Sequence, residues 1–94
     1  MATVIEGDFE WDEEKAVVNR VKHGVTFEEA LLALKDALSL DFDDLVEPEN
    51  LITLEASPSG RILYIVSTVR GERLRIISAR DATSNERRRY EEAD

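Results

Sequence analysis

Apolar positions along the chain change period three times, and each change marks a different element. Phe9 and Trp11 alternate with Asp8 and Glu10, the two-residue period of a short strand. The preceding residues 1–6 read as a loose terminus. Asp12 can then cap a helix whose first turn holds Glu13 and Glu14 and whose last holds Arg20, Lys22 and His23. Those signs suit the helix dipole at each end. Gly24 can close the helix in the left-handed conformation, which puts His23 at its C-terminal end. Thr26 and Glu29 form a capping-box pattern, with Val25 and Ala30 spaced as a hydrophobic staple, so a second helix starts at once and extends to about Lys35. Phe27, Ala30, Leu31 and Leu34 give that helix one apolar face for a core.

From Ala37 onward the pattern turns to strands. Residues 37–42, 51–56, 61–69 and 74–80 are rich in Ile, Leu, Val and Thr, separated by turn signals at Pro48, at Ser57-Pro58-Ser59-Gly60 and at Arg70-Gly71-Glu72. Connections this short suit an antiparallel meander, since parallel neighbours need longer crossovers. Thr83 and Glu86 make another capping box, opening a last helix through about Glu92. The expectation is an α+β fold in one domain over residues 1–94, with an antiparallel four-stranded sheet packed by two N-terminal helices and one C-terminal helix.

Charge is what complicates this picture. The 94 residues carry a formal net charge of −9, which disfavours a general nucleic-acid binder. The charge is unevenly spread, however. Residues 1–60 hold four basic and fifteen acidic groups, whereas residues 61–94 hold eight arginines against six acids. An arginine-bearing sheet beside an acidic helical layer can still present one positive face to a phosphate or an acidic partner. The absence of cysteine excludes disulfides and thiolate metal sites, and makes a reducing cytoplasm the simplest compartment. No basic start with an apolar core opens the chain, and it has no run of about 18 apolar residues, so neither secretion nor membrane spanning is expected.

Candidate chemistry is confined to a few residues. One histidine without cysteine cannot build a zinc site of the usual composition, no calcium-loop spacing occurs, and Asp41, Asp43 and Asp44 read as solvent-facing charge; no metal and no cofactor is expected. Phosphate-binding glycine loops and nucleophile elbows are missing from the sequence. What remains is His23, with Lys15 and Lys22 beside it, and Arg61, Arg75, Arg80, Arg87 and Tyr90 from the sheet and last helix. Metal-free cleavage of RNA needs a group to accept the 2′-hydroxyl proton, cations to stabilise the phosphorane and an acid for the leaving oxygen. Histidine suits either proton role, and arginine forms paired hydrogen bonds to phosphate. On this reading His23, Lys22, Arg80 and Tyr90 are the catalytic candidates, and Lys15, Arg61, Arg75 and Arg87 the substrate-binding ones. Each has a plainer reading: His23 as a helix-end cation, Trp11 as core rather than a base-stacking platform, the lysines as solvated charge. Strand alternation puts Arg75 opposite Leu74 and Ile76, and Arg80 on their face, where it needs a partner such as Glu86 or Tyr90 if it does not meet substrate.

The ordered set Trp11-Asp12, Asn19, Lys22-His23-Gly24-Val25, Phe27, Ala30, Ile77-Ser78-Ala79-Arg80, Glu86-Arg87 and Tyr90 resembles the BrnT family of bacterial toxins. The likeness runs from Phe9 to Glu92. It implies a RelE-like fold and a metal-independent endoribonuclease that inhibits translation. It also implies a BrnA-type antitoxin, a ribbon-helix-helix DNA-binding protein that neutralises the toxin and represses the shared operon. Lys22-His23 and Arg80 match the family's basic motif residues, and Glu86 and Tyr90 its closing helix. Asn50 and Glu55 stand where family members often have an arginine and a glycine. Those departures and the acidic first sixty residues motivate an alternative: a catalytically weak or inactive protein-binding module that engages an antitoxin-type regulator. A homodimer and a toxin-antitoxin hetero-oligomer are the assemblies in view.

Overall fold

The computed structural model describes residues 2–93. Its elements run β1 (Thr3–Glu6), β2 (Phe9–Asp12), α1 (Glu13–His23), α2 (Phe27–Ala33), β3 (Leu40–Asp43), β4 (Asn50–Ala56), β5 (Ile62–Arg70), β6 (Arg73–Asp81) and α3 (Ser84–Glu92). The α+β class and the three helices agree with expectation, but the sheet does not. It has six strands in the order β1-β2-β6-β5-β4-β3, and it is mixed rather than wholly antiparallel. Two causes account for the difference. Thr3–Glu6, expected to be loose, folds back on Phe9–Asp12 across a turn where Gly7 has a φ of 61°; Met1 of that expected terminus lies outside the described residues. β2 then lies parallel to β6 through Phe9–Leu74 and Glu10–Arg75, a contact that a sixty-residue excursion makes feasible.

Two expected boundaries also move. α2 stops at Ala33 rather than Lys35, because Lys35 N–H turns to the Leu32 carbonyl and Asp36 N–H to the Ala33 carbonyl, tightening the last turn. β3 begins at Leu40 rather than Ala37. Asp36 accepts the Leu38 N–H at 3.0 Å, a side-chain turn that holds the intervening residues out of the sheet.

The helices divide between the faces of the sheet. Trp11, Val25, Phe27, Ala30, Ala33, Leu63, Ile65, Ile76 and Ala79 form one buried cluster under α1 and α2, with the Trp11 and Phe27 rings edge to face at 6.0 Å. On the other face Ile52 and Leu54 are buried beside Phe42 and Tyr64, and α3 lies over them through Arg89 and Glu86. Strand β6 serves both faces with an irregularity. Between Val66 and Ser67 the register slips, so that Ser67 meets Ile76 while Val66 meets Ser78, leaving Ile77 as an extra residue. The slip inverts the alternation expected of Arg80. Ile76 and Ala79 both face the helical core, and Arg75 and Arg80 both face away from it.

Candidate functional site

α1 is built to hold polar side chains against the edge of β6. Asp12 caps it by accepting the Glu14 and Lys15 N–H groups at 2.8 and 3.2 Å, and Gly24 closes it at φ 70° with its N–H on the Arg20 carbonyl. The buried residue of this helix is polar. Asn19 donates to the carbonyls of Val25 and Ala79 at 3.0 and 2.8 Å and accepts the Ala79 N–H at 3.1 Å. Its amide thus does for Ala79 what a neighbouring strand would do, where β2 has already ended. The inward position of Asn19, seven residues after Asp12 and four before His23 on one helical face, was the available sequence signal.

Beside this clamp lies a cavity of about 390 Å³ lined by Asp12, Glu14, Lys15, Val18, Asn19, Lys22, His23, Ile77 and Ser78. It brings together three of the eight candidates, Lys15, Lys22 and His23, with His23 half-buried at its edge. Asp12, Glu14, Asn19 and Ser78 join them without having been singled out for a role in the site. The bulge at Ile77 is what turns this part of β6 toward α1.

The remaining candidates lie elsewhere, four of them engaged with carboxylates. Arg80 makes a two-pronged bond to Glu86 at 2.8 and 3.0 Å and stacks 3.8 Å above the Tyr64 ring. Glu86 also accepts the Thr83 N–H in a complete capping box, and the Arg80 guanidinium holds its carboxyl below the usual range. Arg61 bonds Glu29 at 2.6 and 2.9 Å and the Gly24 carbonyl at 2.8 Å, tying the corner between α1 and α2 to the start of β5. Glu29 is thereby drawn away from closing a full capping box on Thr26, and the Arg61 bond holds it down at about 2 against the opposing effect of burial. Arg75 pairs with Glu10. Tyr90 donates to Asp36, and burial followed by that bond pushes its hydroxyl to about 12. Arg87 stands exposed on α3. No hydrogen bond or ion pair among the described residues joins Arg80 or Tyr90 to His23, and no group of three His, Cys, Asp or Glu side chains is placed to hold a metal.

A sequence profile for the ribonuclease toxin BrnT of type II toxin-antitoxin systems matches residues 11–86. This chain belongs to the BrnT family. A crystal structure of the Brucella abortus ribonuclease toxin BrnT superposes with a TM-score of 0.65 at 25% identity, covering 79% of this chain and 94% of that one. Comparison with curated protein sequences gives no match. The matched span holds every residue that lines the cavity, and Arg61, Arg75 and Arg80 as well, but ends before Arg87 and Tyr90. Neither departure from the BrnT pattern touches the cavity. Asn50 opens β4 opposite Thr68, and Glu55 is buried next to Leu63 in the sheet. Among the described residues no helix is long and apolar enough to cross a membrane.

Proposed function

We propose that this protein is a metal-independent endoribonuclease toxin with its active site in the cavity between α1 and the bulged segment of β6. The observation that carries this reading is the convergence of Lys15, Lys22 and His23 on one cavity in a member of a ribonuclease-toxin family. In the reaction His23 accepts the 2′-hydroxyl proton as that oxygen attacks the adjacent phosphorus. Lys15 and Lys22 stabilise the charge that develops on the phosphorane, and Lys22 protonates the departing 5′-oxygen, leaving a cyclic phosphate. Arg61, Arg75, Arg80 and Tyr90 enter as framework, since each already satisfies a carboxylate. RNA cleavage would inhibit translation in a bacterial cytoplasm. The partner would be a BrnA-type ribbon-helix-helix antitoxin, and residues 1–94 would form one RelE-like domain.

A second reading, a binding module with little nuclease activity, is favoured by the neutralisation of Arg61, Arg75 and Arg80 by acids of the same chain. The two separate on one assay, cleavage of a structured RNA by purified protein with EDTA at low salt. Under the first reading wild type cleaves, His23→Ala and Lys22→Ala lose at least roughly a hundredfold in rate, and Tyr90→Phe retains activity. Intact RNA with wild type, together with harmless expression in cells, transfers the assignment to the binding module.

A further inference from the structure

α1 is amphipathic in the wrong direction for a helix that only covers a sheet. It buries Asn19 and turns valines outward: Val17, Val18 and Val21 are 50%, 62% and 79% exposed. With Glu14 they recur at spacings of three and four, which makes a continuous outward stripe over two turns. Open grooves of about 460 and 570 Å³ border this stripe on the side of Val17, the first floored by Ala2 and the second by Val4, Trp11 and Ala16. Apolar side chains exposed in register and flanked by grooves form a contact surface without an occupant.

The charges beside the stripe indicate which occupant fits. Glu13 and Arg20 flank it on one side, both exposed, and neither has an ion-pair partner among the described residues. Seven residues apart on a helix, they are about 10 Å from each other and cannot pair within one chain. Across a two-fold axis between residues 16 and 17, an antiparallel copy of α1 sets Glu13 of one chain beside Arg20 of the other, twice. The same axis aligns the two helix dipoles head to tail and brings Val17 and Val18 of each copy against those of its mate.

We propose that α1 is the contact helix of a symmetric antiparallel dimer of this chain. Lys15 and Lys22 of both copies lie along the opposite side of the seam, where their repulsion weakens the association. Glu14, Lys15, Val18 and Lys22 belong both to this seam and to the proposed active site, so the dimer narrows that cavity, whereas Glu13, Val17, Arg20 and Val21 lie outside it and let the association be tested apart from the ribonuclease reading.

Sedimentation velocity on the purified chain over a concentration series tests this. Wild type is expected to shift from monomer to dimer, and Val21→Asp to remain monomeric with an unchanged circular dichroism spectrum. Glu13→Arg and Arg20→Glu should each weaken the dimer roughly tenfold, while the double swap regains most of the wild-type affinity, because both pairs are restored in the opposite sense. A wild type that stays monomeric to nearly millimolar concentration, a dimer indifferent to Val21→Asp, or a double swap as weak as the single variants would overturn the proposal.

Discussion

Glu55 shows how much one residue can set. It is fully buried opposite Leu63, neither of its carboxylate oxygens has a hydrogen-bond partner among the described residues, and burial, reinforced by the charges of Asp41 and Asp36, pushes its carboxyl up to about 8. The folded chain therefore holds a proton that the unfolded chain releases above its ordinary value of 4.5. The stabilisation this acid allows is complete below about pH 4.5 and declines as pH rises toward 8, by on the order of 3 kcal/mol at pH 7. Glu29 works in the opposite sense. Held at about 2 by Arg61, it stabilises above its ordinary 4.5 and loses that effect as pH falls toward 2. Wild type should thus be most stable near pH 5, as measured by urea midpoints across pH. Glu55→Met should raise the midpoint at pH 7 and flatten the decline above pH 5; an unchanged pH profile would refute the assignment. Asn19 is the other residue whose environment decides its effect. Asn19→Ala leaves the Ala79 N–H and two carbonyls without partners, and should cost about 2–4 kcal/mol by chemical denaturation.

At the scale of elements, the helix ends other than the C-terminal end of α2 were legible because capping is local chemistry. Asp12, Gly24, Thr26 and Thr83 all act where the sequence places them, each through a bond spanning at most four residues. Thr83→Ala should therefore cost about 1 kcal/mol, seen as a lower thermal midpoint and faster amide exchange in the first turn of α3. Gly24→Ala meets no atom within 4 Å, so its expected loss of about 1 kcal/mol comes from the positive φ alone, and Gly24→Asn should lose less. What spacing could not supply was the competition for a side chain once elements meet. Glu29 and Glu86 occupy equivalent positions in two capping boxes; the second caps its helix and pairs with Arg80, while the first is taken over by Arg61, thirty-two residues away. The face of Arg80 escaped alternation for a related reason. A one-residue bulge has no turn residue to announce it and inverts the side-chain pattern beyond it.

Across the whole molecule, α3 is pinned at two points. Its start is held by Arg80 on Glu86, and its end by Tyr90 on Asp36, which also accepts the Ala56 N–H at the end of β4. Tyr90→Phe should lower stability by about 1 kcal/mol and raise amide exchange across the second half of α3, with the cavity beside α1 undisturbed. Tyr90 is not among the residues that line the cavity of Lys15, Lys22 and His23. The sequence by itself determined the helices and their caps, the strand-rich second half, the absence of a thiolate or histidine-rich metal site, and the family, because each rests on residue identity and short spacing. Tertiary structure decided that Thr3–Glu6 becomes a strand, that β1 and β2 join the sheet with β2 parallel to β6, the phase of Arg80, and the convergence of Lys15, Lys22 and His23 on a cavity that the arginines do not line. Those outcomes depend on which backbone edges and which opposite charges meet across the chain, and contacts between residues sixty positions apart leave no mark in local periodicity.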